Sequence, residues 1–210
     1  MPKAKLQTPF SAKSAKKARP QPPQKPKNID QRKREYLSDS EVEQLMKAAR
    51  GQGRHGLRDE TLILIMFRHG LRVSEIIALR WEQVDLKKGH LYVNRLKNGL
   101  PSIHPIRGIE LRAFRQLQRT YPQSPYVFIS ERQAPLTARS VHHIIARAGE
   151  QAKLPFSVHP HMLRHSTGFY LANHGHDTRA IQSYLGHANI KNTVIYTELA
   201  PNRFKDFWRD

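Results

Sequence analysis

Six polar side chains follow one another through the last two-thirds of the chain: Arg72, Lys97, His161, Arg164, His187 and Tyr196. Together they supply what phosphoryl transfer to a tyrosine requires: a phenol to attack, guanidiniums to hold a phosphate, and imidazole and ammonium groups to move protons. A guanidinium stays charged, and its planar fork matches the non-bridging oxygens that gain charge in a five-coordinate transition state. A phenol with a pKa near ~10 needs help from a neighbour to attack at neutral pH. Such a set would cut and rejoin a DNA backbone without metal or ATP.

Each member alone has an ordinary reading. A lysine at a hairpin turn solvates it, a His-x-x-Arg pair lies on many exposed helices, and a tyrosine among aliphatics is commonly a core-edge aromatic. The weight is in the combination. His161 and Arg164 are three apart where Pro160 opens a predicted helix, so they share a face and can converge on one phosphate. Arg72 stands between a glycine and a short helix, and Glu75, three residues on, can hold it by a charged hydrogen bond. Lys97 at a hairpin tip can reach into a groove, which suits a general acid protonating the departing 5′ oxygen. His187 follows Gly186, which should end one helix and leave the imidazole free at the loop to assist Tyr196.

The elements that must position these groups can be read from pattern. Ser38, ahead of Asp39, Glu41 and the pair Val42/Leu45, marks the N-cap of a first helix ending near Ala49. A largely buried helix runs from about Leu57 through Leu62, Ile63, Ile65, Met66 and Phe67 to a left-handed cap at Gly70. Arg72 then opens a short helix. Segments 90–96 and 100–106 are β-rich and joined by Asn98-Gly99, the pair that best suits a tight hairpin turn. Helical patterns resume at about 107–120, 137–151, 161–174, 178–185 and 189–199, the last expected to pack Ile190, Val194, Ile195 and Leu199 inward. The class is mostly α with a small antiparallel β-sheet (α+β).

Composition narrows the partner. The 210 residues are 38% hydrophobic, enough for one ordinary core. No apolar run approaches the ~18 residues of a membrane span, and Met1-Pro2-Lys3-Ala4-Lys5 lacks a secretory apolar stretch, so a cytoplasmic protein is expected. Without cysteine there is no disulfide and no thiolate-held zinc. Twelve histidines raise the question of a metal. No convincing nearby set of carboxylates accompanies His159, His161 and His165, so a metal is not expected, and the tyrosine chemistry outlined above calls for no cofactor. The formal charge is +19, of which residues 1–34, with eleven Lys/Arg against Asp30 alone, carry +10. That Pro/Lys-rich stretch reads as a disordered basic arm. The remainder is still +9, so a polyanion is the natural partner of the body as well.

At this point the residues resemble the tyrosine site-specific recombinases, the phage-integrase family. The likeness is carried by His69-Gly-Leu-Arg72-Val-Ser-Glu75-Ile-Ile-Ala-Leu79, Arg95-Leu-Lys97, His159-Pro-His161-Met-Leu-Arg164-His165-Ser166, Tyr184-Leu-Gly-His187 and Tyr196. The resemblance implies that Arg72 and Arg164 clamp the scissile phosphate, with Glu75 and His165 in support. It makes Lys97 the general acid, His161 a base or hydrogen-bond partner, and His187 a stabiliser of the phosphate. Tyr196 is then the nucleophile that forms a 3′-phosphotyrosine link. It further implies double-stranded DNA with specific recombination sites, a homotetramer assembled on that DNA, DNA-bending accessory proteins and a nucleoid-associated, cytoplasmic location. The layout, an arm at 1–34 and a catalytic domain at 35–200, looks like that of the fimbrial phase-switch invertases. An amphipathic tail at 201–210 carries Phe204, Phe207 and Trp208. Two other functions use the same features: a non-catalytic DNA-binding regulator on the same fold, and a type IB topoisomerase-like relaxation of supercoils.

Overall fold

The computed structural model describes residues 34–95 and 101–198. The basic arm, Lys97 with the Asn98-Gly99 turn, Leu199 and the C-terminal tail lie outside the described residues.

Helix α1, Asp39–Arg50, begins at a reciprocal cap: Ser38 accepts from the Glu41 backbone, and the Glu41 carboxylate accepts from the Ser38 backbone N–H at 2.8 Å. Its Val42, Leu45 and Ala49 are buried at helical spacing. Helix α2, Gly56–His69, is apolar nearly all round and takes the centre of the molecule, packed on α1, on α4 (Gly108–Thr120) and on α6 (Pro160–Asn173). Gly70 ends it with φ +58°, and a methyl group there would meet Leu185 Cδ2 at 2.4 Å. Glycine is therefore required twice over, by backbone conformation and by space.

Arg72 caps the short α3, Val73–Ile77. A three-stranded antiparallel sheet follows in the order β1 (Val84–Asp85), β2 (His90–Val93), β3 (Ser102–Pro105). The two β-rich segments are shorter than expected, and β1 was not anticipated: two residues show no alternation, and only pairing of Val84 with Leu91 and Asp85 with His90 makes them a strand. Leu91 pairs with His104, and both face inward. The His104 ring is sealed between the Tyr184 ring, stacked at 3.9 Å, and His69, whose Nδ1 is 3.1 Å from His104 Nδ1. Ser102 Oγ lies 2.9 Å from its other nitrogen.

Helix α5 (Ala138–Gln151) packs on α1, α3 and α6, closing the main core. Helices α7 (Thr178–Leu185) and α8 (Lys191–Glu198) pack on α6 and on each other around a smaller cluster of Ala172, Ile181, Leu185 and Tyr196. The inward face of α8 differs from expectation. Thr193 and Tyr196 are buried, whereas Ile195 is 41% exposed. Aliphatic content alone had assigned that face; the packing of α8 on α6 sets it by Thr193 and Tyr196, three apart.

Candidate active site

Two helix ends build the site. Arg164, buried on α6, donates through Nη1 to the carbonyl of Gly70, just past α2, and through Nη2 to the carbonyl of Leu185, the last residue of α7, at 2.7 Å. Carbonyls at helix C-termini lack partners within the helix and carry the negative end of its dipole, so they can hold a guanidinium away from water. Even so, burial, followed by the nearby Arg72 and Arg95, lowers Arg164 to about 9, with Glu75 pulling the other way. Its positive charge is under tension that an anion would relieve.

Glu75 is the carboxylate at the centre of the arginine cluster. Its Oε1 accepts from Arg72 Nη1 at 2.9 Å, and its Oε2 accepts from the Arg72 backbone N–H at 2.9 Å and from Arg95 Nη1 at 2.8 Å. Two guanidiniums therefore share one internal carboxylate, whose charge also acts on the nearby Arg164. Arg72 is the one that remains open, its side chain 31% exposed, and presents itself to whatever enters.

Tyr196 is 1% exposed, with its ring against Gly168 of α6 and edge-on to Phe169 at 5.1 Å. A methyl group at Gly168 would stand 2.5–2.7 Å from three ring atoms, so glycine makes room for this tyrosine. The Tyr196 hydroxyl is 2.9 Å from His165 Nδ1. Burial raises the phenol's pKa and Arg164 opposes that rise. His161 packs edge-on against His165 at 4.5 Å, exposed on its outer side.

His187 is placed differently from the sequence expectation. Gly186, φ +64°, does end α7, yet the imidazole is not free: its Nδ1 is 2.8 Å from Thr193 Oγ1. Its ring centroid lies 6.3 Å from that of Tyr196, and the hydrogen-bond partner of the phenol is His165. The site thus gathers Arg72, Glu75, His161, Arg164, His165, His187 and Tyr196. Sequence reasoning gave no role to Arg95 and overlooked Thr193. Arg95 had a signal: continuing the period-2 alternation of Leu91 and Val93 puts it on the buried face. Among the described residues no group of three or more His, Cys, Asp or Glu side chains is arranged to hold a metal ion.

Four imidazoles, those of His104, His161, His165 and His187, are held below the ordinary histidine range. Burial, then Arg164, Arg72, Arg95 and His165, brings His187 down to about 3; burial, then chiefly His161, brings His165 to about 4; burial, then His69 and Arg95, brings His104 to about 2. His161 is also lowered, by burial first and then by Arg164, His159 and Arg72. Rings kept neutral by the fold would be protonated in the unfolded chain below pH ~6.5, so the unfolded state binds more protons there. Stability should be whole above pH ~6.5 and fall as the pH drops toward 4, with the fully buried His104 alone contributing a loss of about 2 kcal/mol at pH 5. Thermal unfolding at pH 7.5 and 5.0 checks this. An unchanged midpoint would contradict it.

A mostly helical domain with a small antiparallel sheet, the two buried arginines Arg95 and Arg164, and a tyrosine bound to a histidine defines a class. The phage integrase family pattern matches residues 35–203, and the chain belongs to that family, the tyrosine recombinases. It is 45% identical over 184 residues to the type 1 fimbriae regulatory protein FimB of Escherichia coli strain K12, across 85% of this chain and 92% of that protein. It is 41% identical over 182 residues to FimE of the same strain, across 84% and 91%. Among solved structures, the XerA recombinase superposes with a TM-score of 0.71 at 27% identity. That match covers 82% of this chain and 63%, under two thirds, of the XerA chain.

Proposed function

We propose that this chain is a site-specific recombinase that cuts and rejoins double-stranded DNA through Tyr196, most directly to invert a segment between two copies of its site. The observation that carries this is the Tyr196 hydroxyl, held 2.9 Å from His165 Nδ1 near three arginines, Arg72, Arg95 and Arg164, with Glu75 bound to the first two as their carboxylate. That charge imbalance fits a phosphodiester.

In the proposed step, Arg72 and Arg164 take the non-bridging oxygens. With the Thr193 hydroxyl donating to His187 Nδ1, His187 Nε2 carries the hydrogen and donates to the phosphate. His161 lines the same side. The Tyr196 oxygen attacks phosphorus, its proton passing to His165 Nδ1; the P–O5′ bond breaks, and Lys97 protonates the leaving 5′ oxygen. The 3′-phosphotyrosine link conserves the bond energy, so the partner strand's 5′ hydroxyl can reverse the step without a cofactor.

Exchange between two duplexes needs four cuts, which supports a homotetramer on DNA, with DNA-bending accessory proteins to juxtapose the sites. The location that goes with this substrate is the cytoplasm, at the nucleoid. Among the described residues, no helix is long and apolar enough to cross a membrane.

We assign residues 1–34 to phosphate contacts beside a catalytic domain at 35–200, with 201–210 as a tail. Deleting 1–34 removes eleven cations and should weaken DNA binding and flatten its salt dependence. Unchanged binding across a salt series would refute that assignment.

The function is tested on a supercoiled plasmid carrying the target site twice in inverted orientation. Inversion of the restriction pattern is expected. Relaxation with no inversion would favour topoisomerase-like action, and retention without strand breakage a binding-only regulator.

A further inference from the structure

Arg95 is a charged side chain that the chemistry above does not use, and it is 0% exposed. It follows β2 on the sheet's buried face and reaches both the carboxylate that holds Arg72 and the backbone next to the two helix ends that hold Arg164. Nη1 donates to Glu75 Oε2 at 2.8 Å, on the carboxylate that also holds Arg72. Nη2 donates to the carbonyl of Tyr184, in the last turn of α7, and at 3.4 Å to that of His69, the last residue of α2. Its Cγ, Cδ and Nε pack against Gly186, where a methyl group would come within 2.8–2.9 Å of them. Gly186 in turn sets the direction of His187.

Such a group is expensive to bury. Its Nε–H has no hydrogen-bond acceptor among the described residues, and desolvation lowers its pKa despite the charge of Glu75. An apolar side chain of similar length would fill the same space without that penalty. What an apolar side chain would not do is join Glu75 to the end of α7. Without Arg95, Glu75 keeps only Arg72 and can swing with it, and the turn before His187 loses its tie to the sheet.

We infer that Arg95 is a positioning residue that locks Arg72 and His187 into one phosphate-binding geometry, by bridging Glu75 to the Tyr184–Gly186 turn. The inference rests on the recombinase reading for its consequence in catalysis, but the bridge itself can be measured without DNA.

The test uses full-length wild type, Arg95→Met and Arg95→Lys. In hydrogen–deuterium exchange of the free proteins, Arg95→Met should speed exchange in residues 69–75 and 183–189 together, with α1 and α5 unchanged. If neither segment changes, or only one, the bridge is overturned whatever the DNA results. Cleavage is then followed on a nicked duplex of the site that wild-type protein marks covalently in genomic DNA, made with either a phosphodiester or a methylphosphonate at the cut link. The methylphosphonate lacks one anionic oxygen and so depends less on a correctly aimed guanidinium. Arg95→Met should lose about 100-fold on the phosphodiester and less than about 10-fold on the methylphosphonate, with Arg95→Lys partly restored. Equal loss on both links would mean general damage to the fold, and wild-type rates would mean no role; either overturns the proposal. If Arg95→Met does not fold, Arg95→Lys carries the same comparison. No covalent product from wild type on any DNA would sink the recombinase reading, while the exchange data still decide the bridge.

Discussion

Arg164→Ala should lose both stability and chemistry. The carbonyls of Gly70 and Leu185 each lose a charged donor, and both lie deep in the fold. An unpaired buried acceptor is destabilising by about 1–3 kcal/mol, and removing a poorly solvated cation returns part of this, so a net loss of about 2–4 kcal/mol is expected. Cleavage should fall by at least about 10²–10³-fold, because the fork on the scissile phosphate is lost at the same time. Arg164→Lys divides the two effects. An ammonium keeps the charge and can reach one carbonyl, so part of the stability returns, but a point charge cannot grip a carbonyl and a phosphate with one rigid fork. Denaturant unfolding and single-turnover cleavage, measured on both variants, check this. Arg164→Ala with an unchanged unfolding midpoint would show that the ends of α2 and α7 do not depend on it.

Tyr196→Phe should separate cutting from binding. The ring still fills the space between Gly168 and Phe169, and what is lost from the fold is one hydrogen bond to His165, about 1 kcal/mol. What is lost from the chemistry is the attacking atom. Covalent DNA adducts should therefore fall by at least ~10⁴-fold, to background, as they do when a nucleophile is deleted from a site whose members act together. DNA affinity, which rests on Arg72, Arg164 and the wider positive surface, should stay within about 2-fold of wild type. Titration of a labelled duplex, beside a denaturing gel of the same mixtures, measures both. Adducts that persist in Tyr196→Phe would place the nucleophile elsewhere.

Where local chemistry decides the structure, the sequence was enough to read it. Ser38 and Glu41 set the start of α1, Gly70 the end of α2, and Pro160 the entry of α6, each by a rule that involves only its neighbours. The site was legible as an ordered set of residue types, because phosphate chemistry limits which side chains can serve. Its internal pairings were not. Which imidazole meets the phenol depends on how α8 lies on α6, and that packing favours His165 over His187. The burial of Thr193 in place of Ile195 has the same origin: helix–helix contact overrides the aliphatic count. Arg95 looked like any cation at a strand end until the fold brought Glu75 and the end of α7 to it. β1 exists only through its partner strand.

The most direct measurement traps the covalent link itself. Wild-type protein is incubated with supercoiled genomic DNA, denatured and digested, and the attached DNA is sequenced while the modified peptide is identified by mass. A nucleotide joined through its 3′ phosphate to Tyr196, at one recurring sequence, is the expected result. A link to another residue, adducts scattered without sequence preference, or no adduct on supercoiled DNA would contradict site-specific recombination through this tyrosine.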